Sequence, residues 1–368
     1  MEKSNMDVHR IYRRPLLLPW RGVFCIPRTR RLNDLEVAER IGVSADAKAS
    51  IKLSPADIAK LALPAAALII SLLVHAFVPD VQIVASKSEY TVILFIALGL
   101  FAAWAIAGLY RRKLLASLLY FSNIITLIIG LLVVWELLTL KSGALPLPYF
   151  PSQVKILDAL IGDREKLLVC ILYSVRLLFI GYVIGAVFGL ATGVLMGWYK
   201  HFQYWINPFL RFIGPIPATA WIPVVLIVFP SSFTASIFLI ALGTWFPVTV
   251  MTWSGIAGVN KSFFEVARTL GASERYLVLR VAFPAAFPLI FIGLFMGLGT
   301  SFVTLIVAEM IGVKAGLGFY ITWAQAWAEY YKVYAALFIM AVLFSTIITI
   351  LFKIRDRVLI WQKGLIKW

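Results

Sequence analysis

Residues Leu168 to Gly197 read LVCILYSVRLLFIGYVIGAVFGLATGVLMG, a run with one charge, Arg176, and glycines at 181, 185, 189, 193 and 197. A helix needs about 20 mostly apolar residues to cross the hydrocarbon of a bilayer, and this stretch exceeds that length. Glycines four apart stay close to one face of a helix. They let a neighbouring backbone approach, as small-xxx-small seams do in lipid. The stretch therefore predicts a membrane-spanning helix with a glycine seam, and Gly293 and Gly297 predict a shorter seam on a later span.

The rest of the chain agrees. Of its 368 residues 61% are hydrophobic and 14% charged, against about 45 to 50% and about 25% in soluble domains, which excludes an ordinary water-soluble globule. Eight runs are long and apolar enough to span: roughly 57–79, 90–110, 114–138, 168–197, 206–229, 233–258, 284–311 and 333–352. With the N-terminus inside, 26 of the 34 Lys and Arg fall in cytoplasmic segments. Seven fall outside, at Lys87, Lys141, Lys155, Arg164, Lys166, Lys314 and Lys332. Basic residues stay on the cytoplasmic side, so both termini are expected there. The formal charge of +16 then reports membrane orientation and a lipid-facing rim, and no nucleic-acid partner is expected. No secretory signal peptide is expected either, because the first long apolar run follows more than fifty mostly polar residues.

Three segments follow: a basic cytoplasmic tail at 1–56, a two-helix hairpin at 57–113, and a six-span core at 114–368. The tail holds Arg13, Arg14, Arg21, Arg28, Arg30 and Arg31 among Trp20 and Phe24, either a topology-setting tail or an attachment to anionic lipid. The external stretch 141–167, with Pro146, Pro148 and Pro151, predicts a loop followed by a short surface helix. Cys25 and Cys170 offer no disulfide framework, and His9, His75 and His201 are scattered, so no metal-ligand set is expected.

The connection between spans six and seven, 259–283, carries the clearest functional pattern. Ser262-Phe263-Phe264-Glu265 has the form of a capping box, expected to start a helix. Beyond it Phe263, Val266, Leu270, Leu277 and Val281 form one apolar stripe interrupted by Gly271, with Arg268, Glu274, Arg275 and Arg280 elsewhere. The pattern predicts two short amphipathic helices joined at a glycine bend on the cytoplasmic face, able to dock a soluble partner.

Glu265-Val266-Ala267, Gly271 after three more residues, and Val281-Ala282-Phe283-Pro284 after nine more resemble the "EAA" loop of ABC importer permeases, E-A-A-x3-G-x9-I-x-L-P. The spacing is kept; Val266 replaces the second-position Ala, Val281 the Ile and Phe283 the Leu. The string from Glu265 to Pro288 resembles the branch importing nitrate, sulfonates, taurine and related small anions. So do Gly214-Pro215-Ile216-Pro217 with Trp221-Ile222-Pro223, Ile237 to Pro247, Ala308-Glu309-Met310 with Gly316-Leu317-Gly318, and Ala324-Gln325. The resemblance covers about 114–368 and leaves 1–113 outside it.

That resemblance implies an all-α polytopic membrane protein, a six-helix ABC importer (MetI-like) core preceded by the hairpin. It implies a coupling helix seated in a separate ATPase subunit, with Glu265, Ala267, Arg268, Gly271, Ala272 and Pro284 as the coupling residues. The residues alone leave a second reading open, in which Glu265 only caps its helix and Gly271 only ends it. Two ATPase subunits, a second permease copy, a homodimer, and an extracytoplasmic solute-binding protein are implied as partners, within the lipid bilayer. No cofactor is expected on this chain, ATP and Mg being held by the partner ATPase: no G-x-x-x-x-G-K-[ST] occurs, and the dipeptide Gly-Lys is absent from the sequence.

Inside the membrane, Pro215, Pro217 and Pro223 are expected to break span five and Pro247 span six, marking these as helices that line a path or merely kink. Arg176 and Glu309 lie at similar depths below the external surface. Either they pair and lock two helices, or Arg176 is exposed to attract an anion. Glu136 is expected at the external interface. The function expected is the permease subunit, not itself an enzyme, of an ATP-driven importer of a small solute of the anion class. The alternatives are a self-contained channel or secondary transporter, and a membrane anchor that recruits a soluble protein.

Overall fold

A computed structural model describes residues 54–360 except 83, 85 and 86, so the basic tail lies outside the described residues as far as residue 53. Every regular element among the described residues is helical. In chain order these are α1 (Pro55–Phe77), α2 (Lys87–Tyr110), α3 (Arg112–Glu136), α4 (Gln153–Gly162), α5 (Arg164–Trp198), α6 (Lys200–Ile213), α7 (Ile222–Val228), α8 (Ser232–Ala257), α9 (Lys261–Thr269), α10 (Phe283–Gly312), α11 (Leu317–Ala326) and α12 (Tyr330–Val358). A π-helical turn, Leu137–Lys141, prolongs α3, and another, Leu277–Ala282, leads into α10.

Seven helices among the described residues are long and apolar enough to cross a membrane. An eighth crossing comes from α6 and the 218–228 stretch that contains α7, bent by 83° at a short break. The break is Gly214–Pro217. Pro215 and Pro217 have no N–H to continue a helix, and Pro217 turns out at φ −56°, ψ 138° before the 3-10 turn Ala218–Trp221. Span five is thus interrupted where the prolines predicted. Span six is not: α8 runs unbroken through buried Pro247, held by neighbours on both sides.

The chain forms two compact units. In the first, 54–67 with 98–127, the Ser122 hydroxyl donates to the Lys60 carbonyl and ties α3 to α1. Gly108 in the same unit lets the Leu115 backbone approach the end of α2.

The second unit, 68–97 with 128–360, is organised around α8. A methyl group at Gly181, Gly189, Gly193 or Gly197 of α5 would come within 2.7, 2.8, 2.5 and 2.5 Å of Ile240, Val248, Thr252 and Ile256 of α8. At Gly185 it would strike the Ala241 carbonyl and Thr244. Each step of four along α5 matches a step of four along α8, so the two helices run parallel with backbones in contact. On its other side α8 meets antiparallel α10, where Gly293 faces Met251 and Gly297 faces Val248 and Thr244. Polar residues within these seams are satisfied locally. Thr244 and Ser301 share a 2.6 Å hydroxyl contact in which one donates to the other, and the accepting hydroxyl donates to a carbonyl of its own helix, Ile240 or Gly297; Thr192 meets Thr249 at 2.8 Å. Such pairs are needed because lipid offers no replacement partner.

At the N-terminal end of α5, α11 and α12 pack on it through Leu167, Leu317, Tyr320, Ala324, Val333 and Met340. The surface helix expected within 141–167 is α4. It is capped by the Ser152 hydroxyl, which accepts from the Lys155 amide.

Candidate coupling loop and intramembrane polar sites

The loop between α8 and α10 is built as the residue pattern requires, with two differences. Asn260, not Ser262, caps α9: its Oδ1 accepts from the Ser262 amide at 3.0 Å, and the expected Ser262–Glu265 capping box is not formed. Asn is as good a cap and sits two residues earlier, which leaves the exposed Glu265 carboxylate uncommitted to the helix end. The second amphipathic helix is also not separate. From Glu274 the chain continues through the π turn into α10 as one candidate span to Gly312.

The bend between the arms is a Schellman arrangement. Gly271 has φ +82°, its amide donates to the Arg268 carbonyl at 2.9 Å, and the Ala272 amide donates to the Ala267 carbonyl at 3.0 Å. Across the bend, Arg268 pairs with Glu274 at 3.1 Å. One ring anchors α9 to the bundle: Phe264 lies 5.4 Å edge-on to Trp198 at the end of α5. The remaining apolar positions of α9 are largely exposed. Phe263, Val266 and Leu270 are 56%, 63% and 81% exposed, whereas Leu277 is fully buried, so the stripe read as continuous divides into an outward-facing half and a buried half. Pro284 stands at the first turn of α10, where a missing N–H costs nothing. An apolar cavity of about 300 Å³ lies beneath the loop, lined by Gly255, Val259, Asn260, Phe263, Ala286 and Pro288 among others.

Glu309 and Arg176 do not pair. Glu309 is completely buried; one carboxylate oxygen accepts from the Ser174 hydroxyl at 2.6 Å and the other from the Gly318 amide at 2.9 Å. Ser174 accepts in turn from the Leu317 amide, so the α11 N-terminus is closed by a carboxylate and a hydroxyl. Gly316, at φ +131°, leaves room for that carboxylate, since a Cβ there would meet it at 2.5–2.8 Å. Arg176 points elsewhere, exposed, with its guanidinium 5.3 Å from the Phe233 ring. Pro217 sits at the break in span five and Pro223 in the first turn of α7, both exposed.

Two polar clusters outside the expected sites were not legible in any motif. At the junction of α4, α5, α11 and α12, Asp163 accepts from the Tyr320 hydroxyl at 2.8 Å and pairs with Lys332 at 3.3 Å and Lys166 at 3.4 Å. Burial alone would raise its pKa; the Tyr320 hydrogen bond and the two ammonium groups outweigh that and hold it below the ordinary carboxylate value. The second cluster corrects the expectation for Glu136. It lies at the end of α3 as expected but is fully buried in protein, and its Oε1 lies 2.6 Å from Nδ1 of buried His75. Next to it buried Lys141 donates to the carbonyls of His75 and Val78 and pairs with Asp80, which also meets Lys87. The only sequence signal was the nearness of these residues to the same ends of spans one to three.

A model of the family described as binding-protein-dependent transport system inner membrane component matches residues 181–360. Residues 181–360, just under half of the chain, are thus similar to that family of ABC permeases. The chain is 29% identical over 158 residues to a putative ABC transporter permease protein of Methanocaldococcus jannaschii, covering 42% of this chain and 59% of the relative. It is 36% identical over 106 residues to the putative aliphatic sulfonates transport permease of Bacillus subtilis, covering 29% and 38%. It is 28% identical over 188 residues to the bicarbonate transport system permease of Synechococcus elongatus, covering 48% and 65%. The chain thus spans less than two thirds of the length of these curated relatives. Among solved structures it is similar to the inward-facing MetNI methionine ABC transporter, with TM-score 0.46 and 19% identity, over 54% of this chain and 98% of that one. The described residues form an all-α, multi-pass membrane protein, similar over 181–360 to inner membrane components of that family.

Proposed function

We propose that this chain is the transmembrane permease subunit of an ATP-driven importer, and that Glu265, Ala267, Arg268, Gly271 and Ala272 form the surface that an ATPase subunit grips. The observation that carries the reading is the outward half of the α9 stripe. Phe263, Val266 and Leu270 stand in water beside an uncommitted Glu265, on the face rich in Lys and Arg. A monomeric soluble loop gains nothing by exposing three large apolar residues together, whereas a partner's groove gains their burial. Because the loop continues into α10, a displacement of α9 by closing ATPases tilts that helix. α10 shares its glycine contacts with α8, and the cavity under the loop gives α9 room to move.

In this mechanism two permease copies with two ATPases rock between inward-open and outward-open states, and ATP hydrolysis takes place on the partner subunits. An extracytoplasmic binding protein delivers the solute. Likeness to permeases named for sulfonate and bicarbonate transport supports a small anion of the nitrate, sulfonate, taurine or bicarbonate type as cargo. The broken span five and the exposed Arg176 are proposed to face the path. The segments 1–56, 57–113 and 114–368 are proposed as tail, accessory hairpin and permease core.

The test is co-purification with the cognate ATPase from membranes, followed by uptake into vesicles. Leu270→Asp together with Glu265→Arg should release the ATPase and abolish uptake while the chain stays folded. Retained ATPase and full uptake would instead support a self-contained channel or secondary transporter.

A further inference from the structure

Thr192 of α5 meets Thr249 of α8, 57 positions further along the chain, and the glycine contacts keep that offset along the seam. Extended to the other end, the offset sets Ser232, the first residue of α8, level with Val175, whereas α5 begins 11 residues earlier at Arg164. Eleven residues of helix are about 16 Å long. A Cβ on Gly312, the last residue of α10, would lie 3.3 Å from that of Ser232, so α8 and α10 end together. Lys332, in the first turn of α12, pairs with Asp163 at 3.3 Å, so α12 starts level with α5. The end of this unit opposite the α9 loop is therefore stepped: α5 and α12 stand about 16 Å proud of α8 and α10.

Arg176 sits at the foot of the step. Its guanidinium lies 5.3 Å from the Phe233 ring in the first turn of α8, and Tyr173, one turn up α5, packs on the same ring. It interrupts an exposed stripe of α5 that is otherwise apolar: Leu172, Phe179, Val183 and Val187. Among the described residues no carboxylate pairs with it, and Glu309, on the other side of α5, is already bonded to Ser174 and Gly318. At the same level the turn from α7 into α8 exposes Pro230 and Ser231. A guanidinium keeps its charge at any pH the protein meets. On an apolar stripe it is costly without water or an anion, and an irregular turn at membrane depth likewise needs protein or water around it.

We infer that Arg176 is an oxyanion-binding residue at the foot of the step, where it takes two oxygens of the anionic solute as the solute enters the bundle. The inference deepens the importer reading above and rests on it for the identity of the anion. The planar fork of the guanidinium fits the paired oxygens of a carboxylate, a nitrate or a sulfonate, and a neutral solute gains no such charge-assisted bond. A phospholipid phosphate presents the same oxygens, and the experiment separates the two sources.

The experiment maps phenylglyoxal modification of Arg176 by mass spectrometry in the full chain, both in lipid nanodiscs and in dodecyl maltoside freed of phospholipid. Nitrate, acetate and ethanesulfonate are the probes, each compared with chloride at equal ionic strength, and exposed Arg164 is the internal standard. Expected is an Arg176 that reacts in nanodiscs and is protected by at least one oxyanion about tenfold more than by chloride, the worth of a charge-assisted hydrogen bond. Reaction without that protection overturns the site. Reaction in detergent but not in nanodiscs assigns the oxygens to lipid and overturns the solute. No reaction in either shows Arg176 closed to water and overturns both. In proteoliposomes that take up the solute, Arg176→Gln should raise KM by about tenfold, and Arg176→Lys, a charge without the fork, should recover only part of the loss. An unchanged KM in Arg176→Gln overturns the role in uptake. The modification arm does not depend on transport, so a chain that holds no ATPase and moves no solute fails the importer reading alone.

Discussion

The Glu309 carboxylate reaches the Gly318 amide at 2.9 Å and thereby joins the end of α10 to the start of α11. This contact, with the Ser174 hydroxyl on the other oxygen, takes the place of an ion pair with Arg176. Glu309→Ala strands a buried amide and a buried hydroxyl and should cost about 2–4 kcal/mol, whereas Arg176→Ala, which loses a contact with one exposed face of Phe233, should cost less than about 1 kcal/mol. Thermal unfolding of both variants in detergent measures the contrast. Equal losses would restore the ion-pair account.

Glycine size along the α5 seam is a separate matter. Gly189→Leu places a branched side chain where even a Cβ lies 2.8 Å from Val248, so the α5–α8 interface cannot close. The variant should fail to yield folded protein by size-exclusion chromatography. Gly130→Leu, with nothing within 4 Å of its Cβ, should behave as wild type.

Gly271 is different again, because open space surrounds it and only its φ of +82° is demanding. Gly271→Val should strain the bend by about 1–2 kcal/mol, enough to redirect α9 without unfolding the bundle. The expected outcome is an unchanged melting temperature for the membrane core with loss of uptake. Full uptake by the valine variant would show that the bend is not part of coupling.

The Asp163 junction sets an acid limit. Its folded-state pKa is held below the unfolded value of about 3.9, so its contribution to stability is fully present above that value. That contribution is lost as pH falls through the lower, folded value. Asp163→Asn should therefore lower stability at neutral pH and flatten the loss of stability below about pH 4, measured as melting temperature against pH. A wild-type profile in that variant would show that the junction with Tyr320 and Lys332 contributes nothing.

Most of the membrane architecture was legible in the chain because the signals are local. Run length sets a span, spacing of four sets a glycine face, and a glycine at a helix end sets a bend. These readings located the α5 seam, the break at Pro215 and Pro217, and the loop around Gly271. They missed the cap at Asn260, where two neighbouring residues were equally able to serve. They also missed the fusion of the second loop helix with α10, since Gly271 marked an end but nothing marked the join.

What the sequence by itself determined is type and length: which stretches are apolar enough to cross a bilayer, and that one loop carries the spaced motif. Only the tertiary structure decided direction around each helix. Successive residues of a helix turn by about 100°, so Ser174, about 200° round α5 from Arg176, can face Glu309 while Arg176 faces away. By the same geometry His75 and Glu136, 61 positions apart, could be known to share a depth. That they meet within hydrogen-bonding distance depends on the rotation of α1 against α3, which packing alone sets.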